Sequence, residues 1–426
     1  MSFPLGAGPA GRARRRLAST AVAALLALPA AAYAQPLSLA DVLARAAAED
    51  PGRAATEARL QAAEAALRQA SVRPNPSIGL EVENFAGTGA RELFDETEST
   101  LYYQQTFERG GKRGARADAA RAEIAVAAAQ AQVRALDLLA TVQTLWVEAA
   151  AAEAGVGVAE ERLAVAQRLE RETVRRVAAA RDPLMSGERA RTATAEARIA
   201  LERARTGAID ARVALAAYLG MPAVELDMTA FTTTTFGATP GDAEPPDLAA
   251  LAAQRDAAQA RVRVEQSRAV QDPTFRAGLR HFREGGDVAF IVGGSIPLGR
   301  YDTNRGGIDR ARAERLAAEA DIAAARTERG REMARLTARR AATAAELARL
   351  EGEVLPSARR AVDLARDGFS RGGGAFTYLE VAEAQRVLVG ARARRIELLK
   401  SFHLDGVRLD RLTGRHAPLL ARAETR

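Results

Sequence analysis

Two long stretches of the chain repeat apolar residues with the spacing of a coiled coil. In the first, 115–180, steps of four and three residues from Ile124 meet an apolar residue each time, and charged residues such as Glu148 fall off this seam. At about 1.5 Å per residue, one helix over this stretch would approach ~100 Å. The second stretch, 308–366, has the same pattern, and Pro356 predicts a kink or a break within it.

Shorter stretches alternate polar and apolar residues. In one pair, 77–83 and 100–107 are joined by a polar, acid-rich segment; in the other, 274–282 and 288–296 are joined by a short turn that contains glycine. Alternation over such lengths, with turn residues between, predicts two β-hairpins. Gly110 and Gly111 after the first hairpin, and Gly299 after the second, predict strand-to-helix turns.

A glycine run interrupts the helical pattern near the end of the chain. Each glycine weakens a helix by roughly 1 kcal/mol, so a run predicts a turn between two helices. The run is Gly372, Gly373 and Gly374, followed by Phe376, Tyr378 and Leu379, which we expect to return to helix packing.

Sequence features recur in the same order in the two halves. Asn75-Pro76 before the first hairpin corresponds to Asp272-Pro273 before the second, and this recurrence predicts an internal tandem duplication. The predicted organisation is a signal peptide (1–34), a first repeat (35–228, hairpin 75–107, helix turn 181–187), a linker (229–247) and a second repeat (248–426, hairpin 273–297, helix turn near 370–376).

The N-terminus has the order of a secretory signal: four arginines, an apolar run and the small-residue site Ala32-Tyr33-Ala34. The net charge of +7 includes those four arginines, which leaves +3 for the rest of the chain and removes the argument for nucleic-acid binding. After the signal we find no uncharged apolar run long enough for a membrane helix. With no cysteine, a lipid anchor on an N-terminal cysteine and disulfide bonds are both excluded.

The chain is 48% hydrophobic but only 4% aromatic, which is typical of long, closely packed helices. The predicted fold is therefore mainly α with a small β part. Two hairpins cannot close a barrel, and an open sheet edge is forbidden in a bilayer. The sequence thus predicts that several copies contribute their hairpins to one barrel.

Candidate chemistry is sparse. Gly110-Gly111-Lys112 resembles part of a phosphate-binding loop. The full motif, however, needs glycine at position 106 and serine or threonine at position 113, where this chain has Thr106 and Arg113. The three histidines are not at metal-ligand spacing, and no catalytic constellation is present. The acids Glu92, Asp95, Glu96 and Glu98 predict a solvated loop, with weak cation attraction at a pore mouth as the alternative. We predict neither an enzyme, a cofactor nor a resident metal.

Three motifs in this order resemble the TolC-like outer-membrane efflux family, over essentially the whole mature chain. They are the segment from Arg73-Pro74-Asn75-Pro76 to Asn84, the segment Gln105–Arg113, and the segment from Gly372 to Arg386. The first two are most similar to the CzcC branch, whose members serve heavy-metal pumps.

The resemblance implies a homotrimer in the outer membrane. Each protomer would give four strands to a shared transmembrane β-barrel, and the coiled-coil helices would form an α-helical tunnel through the periplasm. It also implies a periplasmic membrane-fusion adaptor and an inner-membrane transporter of the RND type as partners. The adaptor-docking turns would contain Arg181, Asp182, Ser186 and Gly187 and, in the second repeat, Gly372, Gly373, Gly374, Phe376, Tyr378 and Leu379.

The predicted function is the channel component of a tripartite efflux pump that exports heavy-metal cations. Two alternatives stay open at this stage. The same channel could carry drugs or other organic compounds, or the chain could be an exported coiled-coil scaffold without a pore. A scaffold, however, has no use for two duplicated amphipathic hairpins.

Overall fold

The computed structural model describes residues 36–89, 94, 96–234, 245–371 and 377–424. The predicted signal peptide lies outside these residues, as do Glu92 and Asp95, part of the predicted linker, and the run from Gly372 to Phe376.

The two halves of the chain place the same elements in the same order. The first half contains α1 (Leu39–Ala48), α2 (Arg53–Ala70), β1 (Ser77–Glu83), β2 (Glu98–Thr106), α3 (Lys112–Ala178), α4 (Leu184–Tyr218) and the short α5 (Thr229–Thr232). The second half contains α6 (Pro246–Arg268), β3 (Thr274–Phe282), β4 (Val288–Ser295), α7 (Arg305–Arg349), α8 (Leu355–Arg371), α9 (Tyr378–Thr413) and α10 (Ala417–Glu424). Helix, hairpin, long helix and second long helix thus occur twice, as the tandem duplication predicts.

The longest helix, α3, contains 67 residues and is therefore about 100 Å long. It is also the one described helix that length and composition would allow to cross a membrane. The sequence had led us to expect no such helix. However, half of the apolar window is buried within the chain, as in the core helix of a soluble domain. We therefore assign α3 to the helical core.

The break predicted at Pro356 is a π-helical turn, Leu350–Val354, between α7 and α8. Proline has no N–H to donate, and its ring clashes with the carbonyl four residues earlier. A wider turn immediately before Pro356 relieves this clash, so the helical rod continues from Arg305 to Arg371.

The four strands form one antiparallel sheet in the order β1-β2-β3-β4. In its central row, Leu101 of β2 lies opposite Leu80 of β1 and Leu279 of β3. The predicted strand bounds agree with the observed ones to within two residues. Among the described residues, the outer edges of β1 and β4 have no partner strand.

Helix α3 organises the helices around it. It contacts α2 and α6 in one part of its length and α4 and α9 in another; α7 then packs on α6, and α8 packs on α9. The two helix layers are therefore α2–α3–α6–α7 and α4–α3–α9–α8. In both layers the outermost helices belong to opposite halves of the chain.

The main hydrophobic core, called the central core here, joins α1, the middle of α3, the end of α4, α5, the end of α7, the π-turn, the start of α8 and α9. Trp146 and Phe231 are fully buried in it. A smaller core near the far end of α3, the tip core, contains Leu169, Phe369 and Tyr378.

Two predicted boundaries differ from the structure. The turn predicted at 181–187 is shorter, since α3 ends at Ala178 and α4 begins at Leu184 directly after Pro183, an N-cap in extended conformation. The predicted linker is helical at both ends. Phe231 anchors α5 in the central core, and Pro246 opens α6 at a position where proline suits a helix.

Candidate channel surfaces

One face of the sheet is apolar and exposed. Because side chains alternate across a strand, the cross-strand row Leu80, Leu101, Leu279 and Phe290 lies on a single face. All four are exposed in the isolated chain, Phe290 to 89%. An apolar face of this kind is suited to contact with lipid hydrocarbon.

The opposite face of the sheet is polar and tied together by Arg280. Its guanidinium donates to Oγ1 of Thr100 at 2.9 Å and to Glu98 at 2.6 Å, and it lies 2.7 Å from a carboxylate oxygen of Glu83. These groups link β1, β2 and β3. A polar face opposite a lipid face is the pattern of a strand whose inner side lines a water-filled lumen.

Tyr102 lies across the polar face between two glycines. A Cβ added at Gly79 would lie 2.4 Å from Cζ of the Tyr102 ring, and one at Gly278 would lie 2.7 Å from its Cβ. Arg276 lies over the ring at 5.6 Å from its centroid. The glycines are therefore required by the close approach of the ring and by the neighbouring strand.

The predicted strand-to-helix turn at Gly110 and Gly111 is present. Both residues have positive φ, 66° and 71°, which favours glycine. A Cβ at Gly110 would also lie 2.7 Å from Cβ of Val270. This turn therefore lets the end of β2 lie against the segment that precedes β3.

Ion pairs hold that turn in place. Asp272 accepts hydrogen bonds from the backbone N–H of Arg109 at 2.9 Å and from Nζ of Lys112 at 2.6 Å. Burial alone, the largest single influence, would raise the pKa of Asp272, but the hydrogen bonds from Lys112 and the Arg109 N–H and the charges of Lys112 and Arg116 together outweigh it, and the pKa is lowered. Lys112 is thus paired with a carboxylate of its own chain, which argues against a role in binding phosphate.

The corresponding turn after β4 is much more open. Gly299 lies in the irregular segment between β4 and α7, where a Cβ would approach Nε2 of Gln271 to 3.0 Å. Its neighbours Leu298 and Tyr301 are 88% and 90% exposed.

At the far end of the helices, Arg176 joins the two repeats. It makes two hydrogen bonds to Asp182, at 2.8 and 3.0 Å, and donates to the backbone carbonyl of Phe369 at 2.6 Å. Its guanidinium also lies 4.3 Å from the centroid of the Phe369 ring. The hydrogen bond to Asp182 raises the pKa of Arg176, so the arginine stays charged. One side chain therefore fixes the turn between α3 and α4 to the end of α8.

The predicted docking residues are distributed around this end. Arg181 and Asp182 lie in the turn, whereas Ser186 and Gly187 lie in the first helical residues of α4 rather than in a loop. Tyr378 is buried in the tip core, where burial raises its pKa, but Leu379 is 57% exposed. The expectation that Leu379 packs is wrong for the isolated chain, because the side chain one residue along a helix points to a different side.

Two further polar contacts were not found from the sequence. Asp405 of α9 is fully buried and accepts two hydrogen bonds from Arg339 of α7. Arg411, near the end of α9, bonds to Asp247 at 2.9 Å and to Asp137 at 2.6 Å. The acid-rich sequence of the helices offers many equivalent partners, so no local pattern marks these pairs.

The histidines lie in three separate surroundings. His281 is exposed in β3, and His416 lies 3.5 Å from Asp410. Nε2 of His403 lies 2.9 Å from the carbonyl oxygen of Phe231, and burial lowers the pKa of His403. Within the described ranges, no three His, Asp or Glu side chains form a group that could hold a metal ion.

Comparison with known proteins agrees with this architecture. The sequence model of the outer membrane efflux protein family matches residues 42–221 and 242–415. The cobalt-zinc-cadmium resistance protein CzcC of Cupriavidus metallidurans is 30% identical over 393 residues, which cover 90% of this chain and 91% of CzcC. The nickel and cobalt resistance protein CnrC of the same organism is 38% identical over 309 residues, which cover 69% and 70% of the two chains.

Solved structures share the fold at low identity. The outer membrane protein VceC of Vibrio cholerae has a TM-score of 0.69 at 22% identity, covering 88% of this chain and 96% of VceC. CusC has a TM-score of 0.72 at 16% identity, covering 89% and 93%. The predicted resemblance, including that to the CzcC branch, is confirmed: the chain belongs to the outer membrane efflux protein family and is an outer-membrane protein with the fold of its channels.

Proposed function

We propose that three copies of this chain form the outer-membrane duct of an efflux pump that exports divalent heavy-metal cations. The observation that carries the proposal is the four-stranded sheet, which has an exposed apolar face, a polar face and two unpaired edges among the described residues. In a bilayer each unpaired backbone group costs several kcal/mol, so the sheet is stable there only when copies close it into a barrel.

The number of copies is the one that the family resemblance implies. Three copies give twelve strands, an even number within the range of bacterial outer-membrane barrels. The polar face with Glu83, Glu98 and Arg280 would then line the lumen, and the row that contains Phe290 would face lipid. The chain would move its cargo without changing it covalently.

The cargo is proposed from the relatives. CzcC and CnrC are named for resistance to cobalt, zinc, cadmium and nickel. A metal ion would be transported cargo here and not a resident cofactor.

The tip of the helices is the proposed docking surface for a periplasmic adaptor, which would connect the duct to an inner-membrane transporter. Arg176 holds the turn at Arg181 and Asp182 next to the end of α8. Leu184 and Met185 at the start of α4 are 81% and 62% exposed, and Leu379 is exposed on α9. The glycine run Gly372 to Gly374 with Phe376 belongs to the same proposed surface.

Export is tested in cells that lack the native gene and carry the adaptor and transporter. Restored tolerance to zinc, cobalt, cadmium or nickel, with lower cell metal content, is expected. If tolerance to organic toxicants rose while the metal content of the cells stayed the same, the cargo would be organic compounds and not metal cations. If the chain restored tolerance neither to metals nor to organic toxicants, the alternative of a scaffold without a pore would be favoured.

Topology is tested with single cysteines, since the chain has none of its own. On intact cells, an impermeant maleimide should label Thr88→Cys in the first hairpin loop and should miss Ser186→Cys. The reverse pattern would place the sheet and the helix tip on the wrong sides of the membrane.

Docking is tested by Leu184→Ser combined with Met185→Ser, with Ile209→Ser, on the same helix and 51% exposed, as the control. The double variant should lose cross-linking to the adaptor while retaining its trimer. Unchanged adaptor cross-linking would remove these residues from the docking surface.

A further inference from the structure

The turn after β2 shows how a strand end packs on the segment before the next strand. The backbone N–H of Phe107 donates to the carbonyl of Pro273 at 2.9 Å, and Asp272 binds Arg109 and Lys112. Gly110 lies against Val270. Residues 107–112 of the first repeat therefore cover the segment 270–273 of the second.

The matching segment before β1 is uncovered. Residues 72–76 end in Asn75-Pro76, as 270–273 end in Asp272-Pro273. They line a cleft of about 980 Å³ together with Tyr103, Phe107 and the start of α3. Their own chain holds them through Gln105, which donates to the carbonyl of Pro74 at 3.0 Å, and through Arg116, which donates to the carbonyl of Val72 at 3.2 Å. Asn75 itself is exposed.

The matching segment after β4 is followed by no further strand among the described residues. Residues 296–301 correspond to the turn after β2, and Leu298 and Tyr301 in this segment are the most exposed large apolar residues beside Phe290. Burying two such side chains is strongly favourable, whereas leaving them in water is not.

Strand direction brings these two surfaces together. The strands alternate in direction, so β4 and β2 end at the side of the sheet where β1 and β3 begin. In a closed ring of identical copies, the β4 edge of one copy meets the β1 edge of the next in a head-to-tail contact.

We propose that residues 296–301 of one copy fill the cleft at residues 72–76 of the neighbouring copy, as residues 107–112 cover 270–273 within the chain. This inference rests on the proposed closed barrel and names the contact that closes it. Asn75 replaces the charged Asp272, so the contact between copies depends on Leu298 and Tyr301 more than on an ion pair. It should therefore resist salt, which screens exposed charges.

Cross-linking tests the contact in the full-length protein in membranes. Chains with Asn75→Cys and differently tagged chains with Leu298→Cys are expressed together and treated with a short bis-maleimide. The matched control replaces Leu298→Cys by Phe290→Cys, which is equally exposed but lies within β4, eight residues before Leu298 and thus up to about 26 Å away at 3.3 Å per residue. Cross-links between the two tags are expected with Leu298→Cys, at least tenfold above the control.

Native mass measured on the same samples distinguishes failure of the proposed contact from failure of the proposed channel. Trimers without the Asn75–Leu298 cross-link, or with an equal cross-link in the control, would overturn the docking contact and leave the channel intact. Folded monomers alone would overturn both the contact and the proposed function.

A second variant tests the apolar contribution. Leu298→Ser with Tyr301→Ser should lower the fraction of trimer that survives detergent at least tenfold, at low and at high salt alike. Leu184→Ser with Met185→Ser, a similarly exposed pair at the far end of the helices, should leave that fraction unchanged. Equal loss in both pairs would contradict the proposed contact.

Discussion

Trp146 in the central core is 1% exposed, whereas Phe290 on the outer strand β4 of the sheet is 89% exposed. The central core closes within one chain, because helices from both repeats and the π-turn surround its large side chains. The sheet has no covering layer on its apolar face within the described residues. The core is thus stabilised by folding of the chain itself, and the sheet by lipid and by further copies. Substitutions in the two regions should therefore affect different measurements.

The largest effect is expected at Asp405, beside the central core. Arg339→Ala leaves the fully buried carboxylate of Asp405 without its main partner, and removing one partner of a buried pair so that a buried charge is unpaired costs about 3–5 kcal/mol. The free energy of unfolding in detergent measures this loss. Glu383→Ala, which breaks an exposed pair with Arg386, is the control and should leave the free energy of unfolding almost unchanged. If both variants lost the same free energy of unfolding, the buried pair would not stabilise the core of the single chain, and that core would depend on its surroundings.

The next effect distinguishes the two faces of the sheet. Phe290→Arg places a charge on the lipid face and should cost about 2–4 kcal/mol of stability in the bilayer. Ile291→Arg, one residue along β4 and on the polar face, should cost much less. The yield of protein in outer-membrane fractions reports both. A larger loss from Ile291→Arg would reverse our assignment of the two faces.

A smaller effect is expected where the sheet joins the helices. Asp272→Ala removes the acceptor for Arg109 and Lys112, and hydrogen bonds to a charged group contribute about 1.5–3 kcal/mol. Asn75→Ala, at the corresponding position before β1, is the control in detergent-separated monomers and should have almost no effect there. Thermal unfolding measures both variants, and equal destabilisation would show that the two junctions are held alike.

The smallest effect is a pH dependence in the central core. Burial lowers the pKa of His403, so the unfolded chain binds a proton that the folded chain does not. Stability from this residue is complete above the unfolded pKa of about 6.5 and is lost as the pH falls below it, by at most about 1.4 kcal/mol per pH unit. His403→Gln should flatten the dependence between pH 7.5 and 5.5, and an unchanged slope would assign it to other groups.

The elements of the fold could be predicted because their signals are local. Alternation and turn residues gave the four strands to within two residues, and Pro356 marked the break between α7 and α8. Gly110 and Gly111 were predicted as a turn because positive φ favours glycine. Such signals need only neighbouring residues to be interpreted.

The contacts between distant segments could not be predicted in this way. Arg176 contacts Asp182 and Phe369, and Asp405 pairs with Arg339. The chain contains 61 lysine and arginine residues and 54 aspartate and glutamate residues, so many other pairs are possible from the sequence. The identity of each pair depends on how the helices cross, which the periodicity of a single helix does not specify. The start of α4 was also misplaced: the turn was predicted to extend to Gly187, whereas α4 begins at Leu184 directly after Pro183.

The four-stranded sheet of one chain cannot close on itself, so further copies must complete the barrel. Native mass spectrometry of protein extracted gently from outer membranes tests this directly. The account predicts a species of three chains. A folded, membrane-inserted single chain would contradict it.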